Sequence, residues 1–224
     1  MERINFLIKG FVTNLVFTAI LFISAGRLDY TQGWIFLSAN LLSTLMNFFT
    51  IYKNSELLNE RSKPGEGIKS WDKLLLGLSA LVYVIIIVLA GLDSGRFQGA
   101  LNFNWIVSIS GVILLIIGQI LFLTARSQNK FFSSVVRIQK DRGHVVCDTG
   151  LYKIVRHPGY LGMMISLMGL PLITTSIWSI IPTLFAIILL LIRTSLEDKT
   201  LINELDGYAG YTRKTRNKLI PLVW

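Results

Sequence analysis

The chain has 224 residues, of which 52% are hydrophobic and only 16% charged, and its mean hydropathy is +0.58. A water-soluble domain carries about 25% charged residues, so this composition excludes an ordinary soluble globule and points to lipid. The single cysteine, Cys147, excludes an internal disulfide and any cysteine-cluster metal site, while the net charge of +9 raises nucleic acid as a partner and must be judged by where the charges lie.

Six apolar segments are read in chain order, at 5–25, 32–52, 74–91, 104–125, 160–174 and 177–192. The first four are long enough to cross a hydrocarbon core of ~30 Å at about 1.5 Å per helical residue. The first is too long for the apolar core of a signal peptide. The last two are shorter and are separated by Thr174, Thr175 and Ser176 just after Pro171, which reads as a tight helical hairpin. The expected fold is an all-α integral membrane bundle of about six transmembrane helices. It divides into a four-helix N-terminal region, 1–125, and a C-terminal region, 126–224.

Of the 22 basic residues, only Arg27 and Arg96 fall on one side of this six-span order. The rest collect at the N-terminus, in the loops at 53–73 and 126–157, and in the tail. The positive-inside rule then places both termini in the cytoplasm. The surplus of basic residues is thereby a topology signal with some attraction to anionic headgroups, and no nucleic-acid partner is expected. The cell membrane and the endoplasmic reticulum both fit.

Within the first four spans the polar residues are few. Asn14, Asn40, Asn47 and Gln119 suit interhelical hydrogen bonds. The stretch Pro64, Gly65, Glu66, Gly67 reads as a loop. It is not a phosphate-binding loop, since no strand precedes it and no lysine–hydroxyl pair ends it.

Polar chemistry gathers after residue 126. One cluster runs from His144 through Val145, Val146 and Cys147 to Gly150, Leu151 and Tyr152, then Arg156, His157, Pro158, Gly159 and Tyr160. Pro158 suits a first helical position, where its missing N–H costs nothing, and a helix start there can hold an anion; a basic interfacial anchor is the plainer alternative. A second cluster is Arg193, Glu197 and Asp198. Arg193 and Glu197, four apart, share a helix face, so an ion pair between them competes with a functional role for an arginine close to an apolar run. A third is Gly207, Tyr208 and Tyr211, which as interfacial aromatics are ordinary anchors.

Taken together and in this order, with Leu201 and Pro221 in register, the clusters of 126–224 resemble the isoprenylcysteine carboxyl methyltransferase family and its prokaryotic relatives. One departure is Asp198, where the family often has a second glutamate. Another is Arg137, where some relatives have a polar amide. The resemblance implies a membrane-embedded enzyme that uses S-adenosyl-L-methionine. It implies cofactor contacts from Arg137, His144, Val145, Val146, Cys147, Tyr152, His157, Pro158, Gly159, Tyr160 and Glu197, with Glu197 on the methionine ammonium. It implies that Arg193 holds the carboxylate of a lipophilic substrate such as a C-terminal prenylcysteine, whose tail arrives from membrane lipid. A carboxylate is already a nucleophile at neutral pH, so neither a metal nor a general base is needed, and alignment supplies most of the acceleration. Methylation of a phospholipid amine, a reductase of the sterol type and a non-catalytic membrane scaffold or small transporter are the alternatives. An amine nucleophile must first lose a proton, and beside it Arg193 is an awkward neighbour.

Overall fold

The structure is a computed structural model and describes residues 2–52, 55–62, 64–98, 103–221 and 223–224. Among them the secondary structure is helical, without strands. The helices are α1 (Glu2–Ala25), α2 (Thr31–Ile51), α3 (Ser55–Ser62), α4 (Ser70–Ala90), α5 (Trp105–Gln128), α6 (Pro158–Thr174), α7 (Ile180–Glu204) and α8 (Tyr208–Lys214). A π-helical turn, Gly91–Arg96, extends α4, and short 3-10 turns occupy Lys140–Arg142 and Gly150–Lys153. The expected basic residues Lys53 and Lys63 lie outside the described residues.

Four described helices are long and apolar enough to cross a membrane: Ile4–Ala25, Ser70–Arg96, Trp105–Gln128 and Ile180–Glu204. Of the other two expected spans, α2 has the length, 21 residues, and includes serine, threonine and asparagine. The fifth, α6, has 17 residues. The helix of the sixth segment, α7, runs on past its apolar run to Glu204 and carries Arg193, Glu197 and Asp198 without a break, so that Arg193 and Glu197 stand on one helix as expected. Hydrophobicity marks where lipid ends, not where a helix does.

The bundle turns apolar side chains outward as well as inward. On α5, Ile106, Ile109, Ile113, Ile117 and Ile120 are all exposed at helical spacing, as are Ile181, Leu184, Phe185, Ile188 and Ile192 on α7. Faces of this size are not stable in water and are the ordinary coat of a helix in lipid. The core draws Leu21, Phe36, Ile87, Leu115, Ile173 and Leu189 into one cluster, from both sides of the 125/126 boundary.

Hydrophobic burial does not hold such helices together in lipid, so close packing and interhelical hydrogen bonds must. Glycines supply the first. A Cβ on Gly118 would lie 2.4 Å from the Gly162 carbonyl oxygen, and one on Gly111 2.5 Å from the Ile173 nitrogen. So α5 and α6 meet backbone to backbone. Two of the polar residues expected in the first spans supply the second, while the Asn40 side chain donates to the Phe36 carbonyl of its own helix. Asn14 donates to the Asn40 carbonyl at 3.2 Å, and Asn47 accepts from Arg126 at 2.8 Å on its side chain and 3.0 Å on its carbonyl. Gln119 lines a cavity inside the bundle instead.

Candidate active site

At the end of the bundle where α4 and α6 begin and α5 and α7 finish, a cavity of about 230 Å³ is enclosed by the 129–147 segment and α8. Every residue carried over from the family resemblance lines it except Pro158. Pro158 opens α6 as expected and is buried in its first turn. The chain folds this way because each loop is tied down by an ion pair or a buried tyrosine.

Asp198 is the busiest of these ties. It is 2% exposed and accepts from Arg156 Nε at 2.8 Å and Nη2 at 2.9 Å, a two-pronged pair. The same carboxylate meets His157 Nε2 at 3.0 Å and takes the Tyr208 hydroxyl at 3.0 Å. Arg156 Nη1 goes on to the carbonyl of Thr215 at 2.9 Å and that of Arg216. The backbone N–H groups of Arg156 and His157 donate to the carbonyls of Asn217 and Lys218. This corrects two expectations. Arg156 and His157 do not present an anion site at a helix start; they are spent on Asp198 and the tail. Asp198 itself, read as a minor departure, joins three of the sequence clusters. The tyrosines are corrected too. Tyr208 and Tyr211 are buried, and Tyr211 donates to the Tyr152 carbonyl at 2.6 Å.

Arg193 is not paired with Glu197. Its Nε donates to Asp72 Oδ1 at 2.7 Å and its Nη2 to Asp72 Oδ2 at 3.2 Å and to the Ser134 carbonyl at 3.0 Å. Its guanidinium lies 5.4 Å from the Tyr160 ring centre, and the Tyr160 hydroxyl donates to Glu197. Asp72 is wholly buried and also takes the Val136 N–H at 2.8 Å. The grip that Arg193 could offer a carboxylate is therefore one-sided, since the Nε–Nη2 edge of its fork belongs to Asp72 and only Nη1 remains.

Arg137 lines the cavity but its charge points into the protein. Glu60 takes it at 3.0 and 2.7 Å and Asp141 at 2.7 and 3.1 Å. Ser133 adds a hydrogen bond to Glu60 at 2.9 Å, so α3 is clamped to the 133–141 segment. Cys147 is half-buried, with Sγ 3.4 Å from the Gln128 carbonyl. Tyr152 is buried, which raises its hydroxyl well above the usual range and leaves it a neutral donor to the Ala125 carbonyl at 3.3 Å.

His144 stacks on Phe131 with ring centres 4.6 Å apart, and its Nδ1 accepts from the Gln139 N–H at 3.3 Å. Burial, then the charges of Arg137 and Arg142, pull its pKa down to about 4 against a small opposing pull from Glu60. The imidazole is neutral at pH 7. Unfolded, it takes a proton near pH 6.5, so between pH 6.5 and 4 the unfolded chain binds more protons than the folded one. Its contribution to stability is present above pH 6.5 and fades as pH falls toward 4. Thermal unfolding from pH 7 to 4.5 is expected to show that loss, and His144→Phe to flatten it.

A second cavity, of about 430 Å³ and mostly apolar, lies in mid-bundle between α2, α4, α5, α6 and α7. Phe122 and Met163 line both cavities, so the two are adjacent.

Fold and site define the class: a polytopic helical membrane protein with an ion-paired pocket beside an apolar cavity inside the bundle. Residues 111–203 match the model of the isoprenylcysteine carboxyl methyltransferase (ICMT) family. A probable protein-S-isoprenylcysteine O-methyltransferase of Oryza sativa subsp. indica is 26% identical over 139 residues, 62% of this chain and 68% of that protein. The protein-S-isoprenylcysteine O-methyltransferase of Schizosaccharomyces pombe is 29% identical over 174 residues, 69% of this chain and 72% of that one. Among solved structures, the eukaryotic intramembrane Ras methyltransferase ICMT superposes with a TM-score of 0.54 at 18% identity, over 94% of this chain and 75% of its own. Over residues 111–203, which hold much of the pocket lining, the chain is similar to the isoprenylcysteine carboxyl methyltransferase family, and these relatives are named as methyltransferases.

The carried-over residues all come from 137–197. What sequence reasoning missed lies mainly upstream: Asp72, Glu60 and, as a lining residue, Arg61. Their only signal was a charge at the edge of an apolar segment, as in Trp71, Asp72, Lys73.

Proposed function

We propose that the chain transfers a methyl group from S-adenosyl-L-methionine to the carboxylate of a lipophilic substrate, a C-terminal prenylcysteine being the kind its relatives' names indicate. The observation that carries this is the pair of adjacent cavities that share Phe122 and Met163, one lined by charged and aromatic groups and one mostly apolar. An acid with a long apolar tail has the same two halves.

The polar cavity fits the donor by chemistry. It offers the flat faces of Phe131 and His144, the carboxylate of Glu197 and the apolar edges of Val145, Val146 and Leu201. His144, Val145, Val146 and Cys147 would take the adenosine, Arg137, Tyr152, His157, Gly159 and Tyr160 would shape the walls, with Pro158 fixing the helix start behind them, and Glu197 would take the ammonium by a charge-assisted contact. Bound there, S-adenosyl-L-methionine supplies a sulfonium methyl whose C–S bond breaks, its pair going to sulfur, as the O–C bond of the ester forms, and no proton moves. The protein's part is alignment. Arg193, fixed by Asp72 and Ser134, offers Nη1 to the carboxylate, whose charge vanishes as the ester forms, so the hold loosens as the reaction proceeds. Amine methylation is less well served. It needs a proton acceptor, yet Asp198 is consumed by ion pairs and the low pKa of His144 makes it a weak base.

The test uses the purified protein with methyl-labelled S-adenosyl-L-methionine and a panel of lipophilic acids and amines. Base-labile label on an acid is expected. Base-stable label on an amine would overturn the reading. S-adenosylhomocysteine is expected to raise thermal stability by mass action, and NADPH to leave it unchanged.

A further inference from the structure

One cation in the polar cavity has no counter-charge. Arg193 is neutralised by Asp72, Arg156 by Asp198 and Arg137 by Glu60 and Asp141. Arg61 also lines the cavity, and among the described residues it makes neither an ion pair nor a hydrogen bond. Its Nε is fully buried without a partner. Its guanidinium rests between two aromatic rings, 6.0 Å from the centre of Phe122 and 5.8 Å from that of Phe132. These ring contacts fix its position without spending its donors.

That position is held firmly. Glu60, next in the chain, is clamped by Arg137 and Ser133, and Leu57 and Leu58 pack on Phe6 and Phe132. Phe122, under the guanidinium, is also one of the two residues shared by the polar and apolar cavities. Burial, and then the nearby charge of Arg193, draw the Arg61 pKa down to about 10, so it is still a cation at neutral pH. A buried guanidinium with open donors and no carboxylate is costly, and an anionic ligand relieves that cost.

We propose that Arg61 receives the carboxylate of the acceptor substrate, with Arg193 as the second cation of the same cavity. The proposal rests on the methyl-acceptor reading above and adds to it a residue outside the matched family region. The Nη1–Nη2 edge of Arg61 is unspent, its buried Nε lying out of a ligand's reach, while Arg193 has one nitrogen left. A carboxylate at Arg61 sits beside Phe122, so an attached apolar tail continues into the mid-bundle cavity. Once esterified, the group carries no charge, Arg61 loses its hold and the product leaves. The arrangement also sets specificity: an acid is favoured over its amide or its own ester by a full charge.

The experiment compares wild type, Arg61→Met and Arg61→Lys in full-length protein, with an N-acylated S-prenylcysteine as the acid and its carboxamide as a neutral competitor. Arg61→Met is expected to raise the apparent KM for the acid about ten- to a hundredfold, the worth of one charge-assisted contact. It is expected to abolish the preference for acid over carboxamide, to leave S-adenosylhomocysteine affinity unchanged and not to lower the thermal midpoint. Arg61→Lys restores part of the preference. Unchanged KM and preference in Arg61→Met would overturn the assignment, as would an equal loss of S-adenosylhomocysteine binding. If wild type forms no base-labile product, it is the methyl-acceptor reading that fails. The acid-over-amide preference, read by ligand-induced thermal shift, then still decides the role of Arg61.

Discussion

Asp198→Asn is expected to cost the folded protein about 3–5 kcal/mol, the usual penalty for stripping one partner from a buried ion pair. Asparagine keeps the shape and one acceptor. It cannot balance Arg156, whose Nε and Nη2 both lie within 2.9 Å of the carboxylate. It also disturbs His157 and Tyr208, which share Oδ1 and line the polar cavity. S-adenosylhomocysteine binding is therefore expected to fall with stability, since Asp198 fixes walls of the pocket proposed for it. Thermal unfolding in detergent and a binding titration check both. An unchanged thermal midpoint would mean that the tail and α6 are joined by something other than this carboxylate.

The second large effect separates folding from chemistry. Asp72→Asn leaves Arg193 uncompensated at the membrane edge, and a loss of about 3–5 kcal/mol is expected again. Turnover should fall with it, because the guanidinium loses the carboxylate that aims its Nη1. Arg193→Lys keeps the charge and one contact with Asp72. It is expected to lose far less stability, to hold S-adenosylhomocysteine nearly as well as wild type, and yet to lose most of its turnover, since a single ammonium cannot reproduce the planar geometry. The double variant Asp72→Asn with Arg193→Met removes both charges, so stability is expected to recover while activity does not. Initial rates and thermal midpoints for the three variants decide the point. Recovered activity in the double variant would remove Arg193 from the reaction.

How much of this was legible in the sequence follows from distance along the chain. The string Arg156, His157, Pro158, Gly159, Tyr160 is local, and Pro158 at a helix start could be read from proline geometry alone. The outward isoleucines of α5 and α7 are equally local, since lipid demands them turn by turn. Asp72 answers Arg193 across 121 positions and Glu60 answers Arg137 across 77, and no periodicity carries such a pairing. Arg193 and Glu197 illustrate the converse. Their spacing of four is an excellent local signal for an ion pair, yet a buried carboxylate on α4 offers the arginine a drier and more complete partner.

The backbone contact between α5 and α6 has a mechanical consequence. Helices separated by interleaved side chains can shear past one another by small rotamer changes. Gly111 and Gly118 leave no side chain to rearrange at their contacts with α6, so these two helices move as a single plank. Any breathing that admits a long apolar chain to the mid-bundle cavity then falls to α2, α4 and α7, which also line it. The plank carries Phe122, Gly159 and Tyr160, and so the polar pocket keeps its registry while the lipid side of the bundle flexes.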